Sequence, residues 1–141
     1  MSQQNVELVR HIYALLDRGD DAVWGLLPPD FVLDFSRRLI DPVVLRGADQ
    51  VRAAYLRELP ETWAGPPRWE PEQLIDAGDQ VLAFIRTGNR GRASGVEVEA
   101  RVWNLWTFRD GNLTKWEYFG DDRAEALKAA GLSEQDALAD S

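Results

Sequence analysis

The sequence contains no cysteine. That excludes disulfides, zinc–thiolate centres and thiol nucleophiles. It contains a single histidine, His11, which excludes a histidine-rich metal site. Basic charge is scarce: 16 Lys and Arg face 24 Asp and Glu, for a net charge of −8. Such a surface repels phosphates, which argues against a nucleic-acid partner and against anionic membrane surfaces. No apolar run approaches the length of a membrane span, and no apolar signal region follows Met1. The expectation is a soluble, cytoplasmic protein. Internal repeats, linkers and a second domain are also lacking. The expected organisation is one domain over residues 1–132 and a polar C-terminal tail over 133–141.

What the chain does have is tryptophan, six in 141 residues. An indole is bulky and its N–H needs a partner, so such a content points to a lined cavity, an interface, or both. At this length a chain buries about 68–70% of its unfolded surface, enough for a core without staples.

The first half of the chain reads as helical. Val6, Val9, Tyr13 and Leu16 recur at helical spacing over residues 2–18, and Gly19 stands at the C-cap. Asp20 or Asp21 caps a short helix, Ala22 to Leu27, which Pro28 and Pro29 end. Phe31 to Phe35 reads as a strand and Ser36 to Arg46 as an irregular loop over a pocket mouth. Ala48 to Leu59 reads as a helix stopped by Pro60.

Beyond Trp69 the period changes from 3.6 to 2. Strands are predicted over Trp69–Asp76, Val81–Thr87, Val96–Phe108 and Leu113–Phe119, with tight turns at Gly78 and Gly111. Gly88 to Gly95 reads as an exposed hairpin loop. A last helix, capped by Asp121 or Asp122, ends at Gly131. Helices first and strands later indicate an α+β domain. The expected form is a cone-shaped, curved antiparallel sheet with helices on its concave side, closed around one aromatic-rich pocket.

Several segments carry a family resemblance: "ELVRHIYALLDRGD", "LRGADQVRAAY", "LIDAGDQVLAFIR", and "SGVEVEARVWNLWTFRDGNLTKWEYFGDDRAEALKAAGL". Together, over about residues 5–132, they resemble the SnoaL-like branch of the nuclear transport factor 2-like superfamily. That superfamily holds ketosteroid isomerases, limonene epoxide hydrolases, polyketide cyclases, dehydratases and non-catalytic binders, so the fold alone does not name a reaction. The resemblance implies a deep apolar pocket and a homodimer packed through the outer face of the sheet.

Candidate site residues follow. Strand alternation puts Val102, Asn104, Trp106 and Phe108 on one face of their strand. By similarity to ketosteroid isomerases, Asn104 stands where a protonated aspartic acid donates to an oxyanion. Asn donates a neutral hydrogen bond but takes no proton near pH 7. Tyr118 stands where the similar stretch of limonene epoxide hydrolase has its catalytic Asp, two residues after a Trp. A phenol is a poor base there but a serviceable donor.

Asp34 ends the first strand, near the isomerases' general base, although simple alignment puts Phe35 at that position. In an aromatic pocket its pKa would rise, as a base requires. Arg86 sits among apolar neighbours and, if turned inward, needs a partner such as Asp34 or an anionic ligand. Counting back from the shared Leu-x-x-Gly-Asp puts Ile12, not Tyr13, at the isomerases' helix-one tyrosine, so that role is not transferred. Trp24, Phe35, Tyr55, Trp63, Trp69, Trp106 and Trp116 are the candidate pocket walls. They suit a flat, small apolar molecule.

Two functional readings stand side by side. One is a cofactor-independent isomerase, cyclase or hydratase/hydrolase acting on an apolar or aromatic substrate. In it Asp34 shuttles the proton, while Asn104 and Tyr118 hold the oxyanion. The other is a non-catalytic ligand-binding domain, which the loss of titratable groups at positions 104 and 118 favours. Neither reading calls for a metal or a cofactor.

Overall fold

The computed structural model describes residues 2–39, 42–62 and 67–139. Helix α1 spans Ser2–Arg18, and a 3-10 turn follows over Asp21–Leu26. Asp20 caps that turn by accepting from the Ala22 N–H at 2.9 Å. The remaining elements are β1 (Val32–Phe35), β2 (Val43–Arg46), α2 (Ala48–Thr62), β3 (Arg68–Asp76), β4 (Gln80–Arg90), β5 (Glu97–Arg109) and β6 (Asn112–Gly120). Two C-terminal helices, α3 (Arg123–Ala130) and α4 (Glu134–Ala139), complete the chain.

The strands form one six-stranded sheet in the order β2-β1-β6-β5-β4-β3. The fold is α+β, as expected, but the sheet is mixed. β1 lies parallel to β6, with Leu33 opposite Trp116, while its other neighbour β2 is antiparallel. The chain leaves β1 through β2, α2 and the whole β3–β6 meander, and returns to β1 running in the same direction.

Three further boundaries differ from expectation. The segment read as an irregular mouth loop contains β2, because Val43, Val44 and Leu45 are residues a pleated edge accepts. The Gly88–Gly95 loop is shorter, since pairing continues to Arg90 opposite Glu97. Helix α2 runs two residues past Pro60. Within a last turn a proline removes one hydrogen bond but keeps a helical φ.

The described part of the tail, to Ala139, is not without structure. α4 buries Ala137, whose carbonyl accepts from the Gln73 amide, and Glu134 pairs with Arg123 at 2.8 Å. Nor do the helices keep to one side. α1, the 3-10 turn and α2 cover the inner face, while α3 and α4 cover the outer one.

The reason is in β4 and β5. Both carry apolar residues on both faces: residues 81–83 are buried in succession, and so are residues 102–106. A strand of that kind needs cover on each side. Val81, Ala83, Ile85, Val102 and Trp106 join the inner core with α1. Leu82, Trp103, Leu105, Ile75 and Phe119 join an outer core with Ala126, Leu127 and Ala130 of α3. Burying a side chain of this size contributes about 1.5–3 kcal/mol. Trp103 stacks on Phe84 at 4.5 Å, and the Arg123 guanidinium lies 5.2 Å above it. Among the described residues, no helix is long and apolar enough to cross a membrane.

Candidate functional site

Between the inner face of the sheet and the helices lies a cavity of about 380 Å3. Small-molecule sites run from about 300 to 1,000 Å3. Strand alternation decides which side chains reach it. From β1 these are Leu33 and Phe35; from β5, Ala100, Val102 and Asn104; from β6, Trp116 and Tyr118. Trp69 enters from β3, whose start is tied to α1 by the Trp69 N–H donating to Asp17 Oδ1 at 2.8 Å. Tyr55 of α2 and Trp24 of the 3-10 turn meet edge-on at 5.2 Å and form the opposite wall.

Asn104, Tyr118, Trp24, Phe35, Tyr55, Trp69 and Trp116 thus share one cavity. Trp63 lies outside the described residues. Three other expectations are corrected. Trp106 is fully buried behind the wall, stacked on Trp116 at 4.4 Å, and does not line the cavity.

Asp34 faces away from the cavity, because it alternates with Leu33 and Phe35 along β1. Its carboxylate accepts from the Ser36 hydroxyl at 2.6 Å and from the Ser36 N–H at 3.0 Å, with Lys115 Nζ at 3.9 Å. These bonds, chiefly that from the Ser36 hydroxyl, together with Lys115 and Arg37 nearby, lower its pKa. A general base needs the opposite shift. Arg86 is also on the outer face, half-exposed and paired with Glu70, the residue across from it on β3.

The cavity's polar groups are of another kind. Among the described residues, no carboxylate and no histidine lines it, and Arg38 at the side of Phe35 is its charged member. Three of its buried polar atoms make no hydrogen bond of normal length: Tyr55 Oη, Trp69 Nε1 and Asn104 Nδ2, the indole standing beside the Tyr55 hydroxyl and the amide beside that of Tyr13. An unmatched buried donor costs about 1–3 kcal/mol, which a matching ligand atom recovers.

Asn104 is 1% exposed, and its Oδ1 accepts from the Trp116 indole at 2.8 Å. Behind it sits Tyr13, fully buried, whose hydroxyl accepts from the Trp106 indole at 2.8 Å. Burial pushes the Tyr13 phenol well up, partly offset by the Trp106 and Asn104 groups beside it. Burial also raises Tyr55, with the Trp69 indole beside it opposing, and raises Tyr118. All three phenols therefore stay protonated through neutral pH.

The sequence reading missed part of this. Arg38, Thr87 and Asn89 line the cavity; the latter two were legible, because they continue the odd-numbered parity of Val81, Ala83 and Ile85 along β4. The place of Tyr13 beside Asn104 was not legible, since it depends on how α1 lies across the sheet.

With that geometry in hand, the comparisons agree on the class. A family model described as the SnoaL-like domain matches residues 9–116. The chain belongs to the SnoaL-like domain family, within the nuclear transport factor 2-like fold. A comparison with curated proteins found no significant match in sequence.

Among solved structures, a nuclear transport factor 2-like protein from Burkholderia thailandensis is similar at 26% identity and a TM-score of 0.73, covering 91% of this chain and 97% of its own. TerC, crystallised with polyporic acid, shares 22% identity at a TM-score of 0.70, covering 88% of this chain and 98% of its own. The Δ5-3-ketosteroid isomerase of a Mycobacterium species shares 14% identity at 0.66, over 82% and 92%. The last two likenesses are of fold alone.

Proposed function

We propose that this protein binds a small apolar molecule in the inner cavity and works as a binding domain rather than as a proton-transfer enzyme. One observation carries the reading: three buried polar side chains without partners, Tyr55, Trp69 and Asn104, line a single apolar cavity. Native interiors seldom leave buried polar atoms unmatched, and a bound polar group would match these.

The chemistry of the lining supports binding over turnover. Isomerase and cyclase readings need a carboxylate base against the substrate, and the candidate for that role, Asp34, points to the other face with a lowered pKa. The described lining supplies aromatic area, amide and phenol donors, and one guanidinium. That TerC was crystallised with polyporic acid supports the view that this fold admits a small molecule.

Isothermal titration with benzophenone and diphenylmethane, which share a shape and differ by a carbonyl, tests the reading. Tighter binding of the ketone is expected, with an affinity constant from pH 5 to 8 because the phenols stay neutral there. Equal affinities, or an ionisation in that range governing binding, would count against it.

A further inference from the structure

The three unmatched polar atoms differ in what they can do. The Trp69 indole N–H can only donate, and the Tyr55 hydroxyl can turn either way. The Asn104 amide has a donor end and an acceptor end, and the one that meets a ligand depends on how the amide is seated.

That seating is set from the neighbouring strand. β6 pairs with β5 so that Trp116 lies opposite Trp106 and diagonal to Asn104, within reach of a long side chain. From there its Nε1 donates to Asn104 Oδ1 at 2.8 Å. An indole nitrogen has no acceptor lone pair. If the amide turned over, its NH2 would meet the indole N–H donor to donor, and both would be buried without partners.

Trp116 cannot step aside to relieve such a clash. It is 5% exposed and stacked on Trp106 with 21° between the rings. Trp69 and Phe35 close it in, with ring centroids 5.6 and 5.3 Å away. Trp106 is itself held by its bond to the Tyr13 hydroxyl.

We infer that Trp116 is a positioning residue that seats the Asn104 amide with its donor end turned away from the indole, and so makes the cavity select carbonyl-type acceptors over N–H donors of the same shape. The inference rests on the ligand-binding reading above and names the ligand class for that same cavity. It gives Trp116 a role besides its area as a wall: its single polar atom sets the polarity of a neighbour that meets the ligand.

The test compares benzophenone, an acceptor, with diphenylamine, a donor, and diphenylmethane, which is neither. Wild-type protein is expected to bind the ketone at least about tenfold tighter than the amine, a difference of one good hydrogen bond. In Trp116→Phe the amide is free to turn, and the ketone-to-amine ratio falls towards one. Lost aromatic area weakens all three probes together and leaves that ratio alone. Asn104→Leu is expected to bind the three probes alike.

A ratio unchanged in Trp116→Phe overturns the inference while leaving the ligand reading intact. Equal wild-type affinities for ketone and hydrocarbon overturn both. A ligand-free measurement stands beside these. In a 15N correlation spectrum the Trp116 indole N–H should be shifted downfield and protected from exchange relative to that of Trp69, and should move in Asn104→Leu. An indole signal of Trp116 indifferent to Asn104→Leu overturns the inference even where Trp116→Phe does not fold.

Discussion

Along β5, Val102, Asn104 and Trp106 look inward, while Arg101, Trp103 and Leu105 look outward. The two sides hold their polar groups in opposite ways. Outside, the charges answer one another within the chain: Glu70 with Arg86, Glu72 with Arg101 at 2.7 Å, Asp34 with Lys115, Glu117 with Arg37 at 3.8 Å. Inside, apart from Arg38, the polar side chains are neutral, and three buried atoms among them are unmatched. The difference separates what the fold satisfies by itself from what it leaves for a ligand. It also shows why ionisable residues were a poor guide to this site, since exposed pairs stabilise little and touch nothing in the cavity.

The comparison can be broken at several points. The largest effect is expected from Trp106→Ala, which empties the fully buried space behind the cavity wall and should cost about 3–5 kcal/mol in urea unfolding. A loss below about 1 kcal/mol would mean that the inner layer is not packed as described.

On the outer side, Ala137→Asp puts a charge where α4 is buried. It should lower stability by about 1–3 kcal/mol and leave benzophenone affinity unchanged. Coupling of that change to ligand binding would dissolve the distinction between the faces.

Tyr13 adds a pH test. Its folded pKa is raised by burial, so the folded state keeps a proton that the unfolded state releases near pH 10. Stability should be level up to that point and fall as pH climbs further. Tyr13→Phe should flatten the fall, and an unaltered alkaline profile in that variant would argue against the buried phenol.

The smallest effects belong to the outer charges. The folded pKa of Asp34 is depressed, so its contribution is present above about pH 4 and fades as pH drops through the lowered value. Asp34→Asn should cost less than about 1 kcal/mol at pH 7, and neither it nor Arg86→Ala should change ligand affinity. A turnover abolished by Asp34→Asn would restore the enzymatic reading.

Much of the fold was legible from period and punctuation. Gly131 ends α3 in the left-handed region at φ 70°, and Asp122 caps its start by accepting from the Glu125 N–H at 3.1 Å. The site was legible only by parity. Alternation on β5 put Asn104 with Trp106, yet one layer of depth separates them, and depth has no signature in spacing. On β1 the same rule, applied to Leu33 and Phe35, already turns Asp34 outward. The outer core was written in the unbroken apolar runs of β4 and β5, which alternation alone does not explain. The parallel pairing of β1 with β6 depends on contacts far apart in the chain.

The central claim is that the Asn104 amide is a donor kept for a ligand's acceptor. A thermodynamic cycle tests it most directly, measuring benzophenone and diphenylmethane against wild-type protein and Asn104→Leu by calorimetry. The account predicts a coupling of about 1 kcal/mol or more, the ketone's advantage disappearing with the amide. A coupling of zero, with the ketone's advantage the same in both proteins, would contradict it.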